Sequence, residues 1–85
     1  MDKELLERVR RLLQSVSEEA AQVEPNDNLF KMGLLDSMLL IRLVEQLERD
    51  FHISIADREM SPDYFLSLER IRLFVQHKLA EAAGP

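Results

Sequence analysis

Asp36-Ser37-Met38-Leu39-Leu40-Ile41-Arg42-Leu43-Val44-Glu45-Gln46-Leu47-Glu48-Arg49-Asp50-Phe51 is the stretch from which the fold can be read. Asp36 is a helix-capping residue, because its carboxylate can accept from the open N–H groups of a first turn. Leu40, Leu43, Val44, Leu47 and Phe51 then recur at helical spacing, so they form one core-facing stripe of a helix running to about Asp50. With about 100° between successive residues, the stripe centres near Leu40, Val44 and Phe51. Met38 and Ile41 fall on the opposite side, beside Arg42, Glu45 and Arg49, and Leu39 lies at the flank.

Upstream, the regular pattern is lost between Glu18 and Asp36, where Pro25-Asn26-Asp27-Asn28 is turn chemistry. A structureless connection of this length is unusual in a compact domain. Leu29, Phe30, Leu34 and Leu35 are therefore expected to pin it to the core through a short helical turn, with Gly33 in a left-handed conformation. Before it, Leu5, Leu6, Val9, Leu12, Leu13 and Val16 mark a first amphipathic helix from about Asp2 to Ser17, with Asp2 as its N-cap. Downstream, His52 to Ala56 reads as extended chain with Ile53 and Ile55 pointing inward. Asp57 caps a turn over Arg58-Glu59-Met60. Ser61-Pro62-Asp63 starts a brief third helix, with serine as cap and proline at the first helical position. Ser67 caps the last helix, whose core positions are Leu68, Ile71, Phe74, Val75 and Leu79. Ala80 to Pro85 is expected to fray. The fold expected is all-α: a small four-helix bundle of three main helices and one short one, with a long loop between the first two. It is a single domain over residues 1–85, its core spanning about 2–79.

Composition agrees with helices and bounds the function. Two glycines and three prolines are too few for a β fold with many tight turns. An apolar content of 46% supports a folded core, although a chain of 85 residues buries only a modest one. There is no cysteine, hence no disulfide or thiolate metal site. The formal charge of −5 disfavours nucleic acid and favours partners with basic docking patches. No apolar run reaches membrane-spanning length, and the N-terminal residues lack the layout of a signal peptide, so no membrane insertion and a cytoplasmic location are expected.

Candidate chemistry is sparse. His52 and His77 are far apart and lack a zinc-site spacing. No Gly-x-Ser-x-Gly elbow surrounds Ser37, and there is no phosphate-binding or EF-hand loop. The acidic residues are dispersed and read as a solvated face. Met32, Met38 and Met60 could form an adaptable surface, with core packing the better reading for Met60. Ser37 stands out because it follows its cap and so is exposed in the first turn, within the positive field of the helix start. A phosphate would be favoured there. Serine is nevertheless among the commonest residues at helix starts, so Asp36-Ser37 alone points to structure before function. Met38 and Ile41 add to it: two apolar residues beside an exposed serine suggest a docking surface, unless the long loop folds over them.

Gly33-Leu34-Leu35-Asp36-Ser37-Met38, preceded by Leu29-Phe30, resembles the attachment motif of acyl, peptidyl and D-alanyl carrier proteins. Leu47-Glu48-Arg49-Asp50-Phe51-His52-Ile53-Ser54-Ile55 is similar to that family's end of helix two. Phe65-Leu66-Ser67-Leu68-Glu69-Arg70-Ile71 is similar to its entry into the last helix. The likeness covers roughly Leu5 to Leu79. It implies that Ser37 receives 4′-phosphopantetheine from coenzyme A. Asp36 would cap the helix and assist recognition by the phosphopantetheinyl transferase. Met38, Ile41 and Glu45 would form much of the partner surface, with Leu35 and Leu39 at its edge. The chain would then be no enzyme. It would be a monomeric carrier, acting in trans, of acyl or aminoacyl groups as thioesters, loaded by an adenylate-forming ligase or acyltransferase and delivering to downstream acyl-using enzymes. The sequence departs from carriers of bacterial fatty acid synthesis, which have acidic residues soon after the serine where this chain has Leu39 and Arg42. Its motif is closer to D-alanyl and stand-alone ligase-served carriers. Ser61-Pro62-Asp63-Tyr64-Phe65 stands where D-alanyl carriers have a tryptophan-containing segment. The alternative is an unmodified helical adaptor of the same fold that binds a partner directly around Ser37.

Overall fold

The computed structural model describes residues 2–83, which hold three α-helices and three short 3-10 turns and no strand. Helix α1 is Asp2–Val16, α2 is Ser37–Phe51 and α3 is Leu68–Ala83. The 3-10 turns are Glu18–Gln22, Asp57–Glu59 and Pro62–Phe65. The expected fourth helix is thus a four-residue 3-10 turn. Ser61 caps it as expected, its hydroxyl accepting from the Asp63 N–H at 3.3 Å with Pro62 at the first position. Ser67 begins another helix so soon afterwards that no longer element fits.

Other boundaries shift. Asp2, expected as a cap, is already helical. The turn Glu18–Gln22 lies in a stretch whose periodicity is too short to register, and it buries Ala20 completely. The residue flanking Asp57–Glu59 is Ala56 rather than Asp57, and its N–H is satisfied by the Glu59 carboxylate at 2.9 Å. Alanine has no side-chain oxygen, so only the glutamate half of a capping box exists there. Residues Ala80–Ala83, expected to fray, continue α3 because alanine and glutamate are good helix formers; Gly84 and Pro85 lie outside the described residues. Helix α2 ends where His52 adopts φ 56°, ψ 48° and its N–H bonds to the Glu48 carbonyl. A left-handed residue is a common stop, and histidine tolerates the conformation better than most side chains do.

The core is the one the stripes anticipate. Leu40, Leu43, Val44, Leu47 and Phe51 of α2 meet Val9 and Leu13 of α1 and Leu68, Ile71, Phe74 and Val75 of α3. Ile53 and Ile55 point inward, and Met60 packs against the cluster from its edge. A fully buried leucine contributes about 1.5–3 kcal/mol. Polar fasteners hold the layers in register. Arg8 of α1 pairs with Asp50 at 2.7 Å while its guanidinium lies 4.3 Å from the centre of the Phe51 ring. Lys78 of α3 donates to both carboxylate oxygens of Glu59 at 2.9 and 3.1 Å. This pairing holds Glu59 below its ordinary value, after the larger effect of the Ala56 N–H, and raises Lys78 above its own.

The long connection is ordered because its backbone groups have partners. The Asn28 side chain accepts from the N–H groups of Phe30 and Lys31, closing an Asx turn. The Leu29 carbonyl accepts from both Leu34 and Leu35, and its N–H bonds to the Leu66 carbonyl at 2.8 Å. The Pro25 carbonyl accepts from Glu69 at 2.9 Å. Leu29, Leu34 and Leu35 are buried, Phe30 half so. Gly33 has φ +77°, as expected, in open space where a Cβ would touch nothing, so glycine serves the backbone conformation there and not a close approach. The result delivers the chain to Asp36 from a fixed direction.

Candidate functional site

At Asp36 the backbone is extended, with φ −142° and ψ −173°, and the side chain folds back over the first turn of α2. Its Oδ1 accepts from the Leu39 N–H at 2.9 Å, and its carbonyl accepts from the Leu40 N–H at 2.8 Å. The expected cap is therefore present. It leaves the N–H groups of Ser37 and Met38 with no protein acceptor among the described residues, which makes this end of the helix a donor-rich, electropositive spot.

Ser37 is exposed, and its hydroxyl makes no hydrogen bond to the described residues. Other serines differ. Ser15 donates to the Leu12 carbonyl, while Ser61 and Ser67 accept from Asp63 and Arg70. Ser17 and Ser54 have free hydroxyls too, but neither stands in the first turn of an α-helix. An unencumbered hydroxyl with an acid-capped turn beneath it can take a phosphodiester: the ester's negative charge would meet open N–H groups and the positive helix end.

The flanking residues divide. Met38 is 68% exposed and Ile41 51%, so the long loop does not cover them. Glu45, Arg42 and Arg49 are exposed on the same face. Leu39 is half-buried at the flank, as expected. Leu35, expected at the edge of the partner surface, is only 2% exposed. Its N–H is tied to Leu29 and its side chain belongs to the core, so it positions Asp36 from beneath and offers nothing to a partner.

A second exposed apolar group was missed by the sequence reading. Tyr64 stacks on Phe74 with ring centroids 5.0 Å apart, and Leu73 beside them is 48% exposed. With Arg70 and His77 they line an open groove of about 200 Å³ on α3, whose lining includes no residue of α2. The signal was available: Leu73 falls off the stripe set by Leu68, Ile71, Phe74 and Val75. Among the described residues no group of three or more histidine, aspartate or glutamate side chains is placed to hold a metal ion, and no helix is long and apolar enough to cross a membrane.

Comparison with known proteins adds one finding. A family model described as "Phosphopantetheine attachment site" matches residues 7–77, from α1 to the middle of α3. No curated protein matches the chain.

Proposed function

The chain belongs to the phosphopantetheine attachment-site family, whose domain is where 4′-phosphopantetheine is covalently attached, and from that premise we propose that Ser37 is the residue that receives the arm. One observation carries this reading. Ser37 has an exposed, unpartnered hydroxyl in the first turn of an α-helix whose capping is done by its neighbour, Asp36. The hydroxyl is therefore free to react without loss of fold.

The chemistry is a phosphoryl transfer from coenzyme A. The Ser37 Oγ attacks the phosphate next to pantetheine, an O–P bond forms, the phosphoanhydride bond breaks and adenosine 3′,5′-bisphosphate leaves. The hydroxyl proton passes to a base on the phosphopantetheinyl transferase, which also supplies magnesium. Asp36 holds the first turn in place and offers the transferase a recognition point. The open N–H groups of Ser37 and Met38 favour the resulting phosphodiester. The arm supplies a terminal thiol that holds an acyl or aminoacyl group as a thioester. Met38, Leu39, Ile41 and Glu45 give partners a surface next to the attachment point. The chain itself lowers no barrier; it delivers cargo at high effective concentration to a ligase or acyltransferase and then to acyl-using enzymes. We place this activity in the cytoplasm.

The test is the intact mass of the protein after incubation with coenzyme A, magnesium and a broad-specificity transferase. Wild type gains one phosphopantetheinyl group, mapped by peptide fragmentation to Ser37 and not to Ser17 or Ser54, and Ser37→Ala gains none. No gain beside a working control carrier favours the unmodified adaptor.

A further inference from the structure

On a protein surface without thiols, amines are the strong nucleophiles toward a thioester, and this chain has no cysteine. Where its amines lie therefore matters to a carrier of thioesters. Eight of its eleven cationic residues are arginines, whose guanidinium stays protonated and does not attack. Arg42 and Arg49, the exposed cations of α2, are of this kind. The lysines are Lys3, Lys31 and Lys78. Two of them are remote from Ser37. Lys78 is bound to both oxygens of Glu59 at 2.9 and 3.1 Å, and it lines a pocket with His52 and Ser54, just past the end of α2. Lys3 lies five residues before Arg8, whose partner at 2.7 Å is Asp50. Asp50 and Ser37 are separated by about 20 Å along α2 at 1.5 Å per residue.

Lys31 is at the other end, on the connection that leads to Ser37. It is exposed, and its side chain makes no ion pair or hydrogen bond among the described residues. Its backbone is fixed, since its N–H bonds to the Asn28 side chain at 3.0 Å. The turn goes on from there: the Met32 N–H bonds to the Asn28 carbonyl and the Gly33 N–H to the Phe30 carbonyl, both at 3.1 Å. Six residues separate Lys31 from Ser37, which fully extended would span about 22 Å; the turns make the true separation shorter. The arm runs through about fourteen bonds from the Ser37 Oγ to its sulfur, roughly 16 Å when extended, and the lysine side chain adds about 6 Å at similar bond lengths. The Lys31 amine is therefore within reach of a cargo carbonyl at the end of the arm.

We propose that Lys31 is a self-acylation site, which takes the cargo when no partner enzyme collects it. The unprotonated Lys31 Nζ attacks the thioester carbonyl carbon. A C–N bond forms, the C–S bond breaks, and the departing sulfur takes up the proton that the nitrogen loses. The products are an amide on Lys31 and a free arm thiol, and no further reactant is needed. The tether holds the two groups at an effective concentration of about 1 mM, which at about 10 µM protein exceeds that of lysines on other molecules by roughly a hundredfold. Lys31 thus limits how long a cargo waits: an uncollected acyl group ends as an amide, and the arm is open to loading again. Arginine at positions 42 and 49 puts charge on the neighbouring face without adding a second acceptor. The inference rests on Ser37 carrying the arm and on the cargo being a thioester.

The test loads the intact chain from acetyl-coenzyme A with a broad-specificity transferase, so that the arm is attached with its thioester in place. Unreacted acetyl-coenzyme A is removed and the loaded protein is held in mildly alkaline buffer. Neutral hydroxylamine then cleaves thioesters and leaves amides, and peptide fragmentation locates the acetyl groups that remain. Lys31 is expected to carry about tenfold or more acetyl amide than Lys3 or Lys78, at a rate that dilution does not change. Lys31→Arg, which keeps the charge of an exposed, unpaired side chain, is expected to fold and load normally and to form no amide at position 31. Ser37→Ala, given the same acetyl-coenzyme A, is expected to show Lys31 no more acetylated than Lys3. Loaded wild type with no excess of amide on Lys31 over Lys3 and Lys78, or equal acetylation of Lys31 in Ser37→Ala, overturns self-acylation and leaves the attachment reading standing. Failure of wild type to load beside a working control carrier overturns both.

Discussion

The starts of α2 and α3 use the same residue types and come to opposite ends. At α3 Ser67 is itself the cap: it is 5% exposed, its Oγ accepts from the Arg70 N–H at 3.1 Å and its carbonyl accepts from Ile71. The Glu69 N–H goes to the Pro25 carbonyl, and the Glu69 carboxylate binds Arg72 at 2.5 and 2.9 Å. The first turn of α3 is thus largely engaged with its own side chains and with the long connection. At α2 the cap is Asp36, one residue earlier, and Ser37 is left over with two open N–H groups around it. A serine that caps is structural; a serine that follows a cap is available. The difference is one position in the chain, and it separates a serine that holds a helix start from one whose hydroxyl is left open.

The sharpest way to break this comparison is to remove each hydroxyl in turn and measure both properties. Ser37→Ala is expected to abolish arm attachment, seen as no mass gain with coenzyme A and a transferase. Its midpoint in urea should stay within the change of about 0.5 kcal/mol typical of surface substitutions. Ser67→Ala should do the reverse, loading normally while losing about 1–2 kcal/mol of stability, because a buried cap is lost. If Ser37→Ala unfolds under conditions where Ser67→Ala does not, the assignment of roles is wrong.

Next in size is the support beneath the free serine. Asp36→Ala removes the bond to the Leu39 N–H and is expected to cost about 1 kcal/mol, while Asp36→Asn, which caps as well as aspartate, should cost little. A chemical-denaturation series separates the two. Gly33→Ala forces a Cβ into a left-handed conformation at φ +77° and is expected to cost about 1–2 kcal/mol without any clash. The loss would show that the approach to Asp36 depends on backbone conformation, not on space.

How much of this was legible beforehand follows from where the interactions are local. The α2 stripe, the Asp36 cap, the Ser61-Pro62 start, the Ser67 cap and the left-handed Gly33 rest on neighbours within one or two turns, and each is present. Exposure of Met38 and Ile41 was legible as an angle but not as an outcome, because a loop elsewhere could have covered them. The burial of Leu35 was legible as one of the apolar residues pinning the connection to the core, and it overturns only the place at the edge of the partner surface that the resemblance implied. The turn at Glu18–Gln22 and the helical end of α3 were missed because short apolar or alanine-rich stretches carry too few periods to read.

The smallest expected effect concerns pH, and it bears on the α3 side of the comparison alone. The hydrogen bonds from Arg72 hold the Glu69 carboxyl below its ordinary value of about 4.5; burial opposes them, and the charge of Arg72 adds the smallest lowering. A depressed value in the folded state means that the unfolded chain binds the proton more readily. The pair's contribution is therefore complete above about pH 4.5 and is lost as pH falls through the lower folded value. Glu69 remains about a third exposed, at 34%, so solvent screens the pair and its contribution is expected to stay within about 1 kcal/mol. Glu69→Gln should therefore lower the melting temperature slightly at neutral pH and flatten its decline as pH falls below about 4.5 relative to wild type. Attachment of the arm should be unchanged in this variant, since the α3 first turn makes no bond to Ser37. An unchanged acid limb would mean that the ion pair at the start of α3 does not hold that turn, and that Ser67 and the Pro25 carbonyl do so without it.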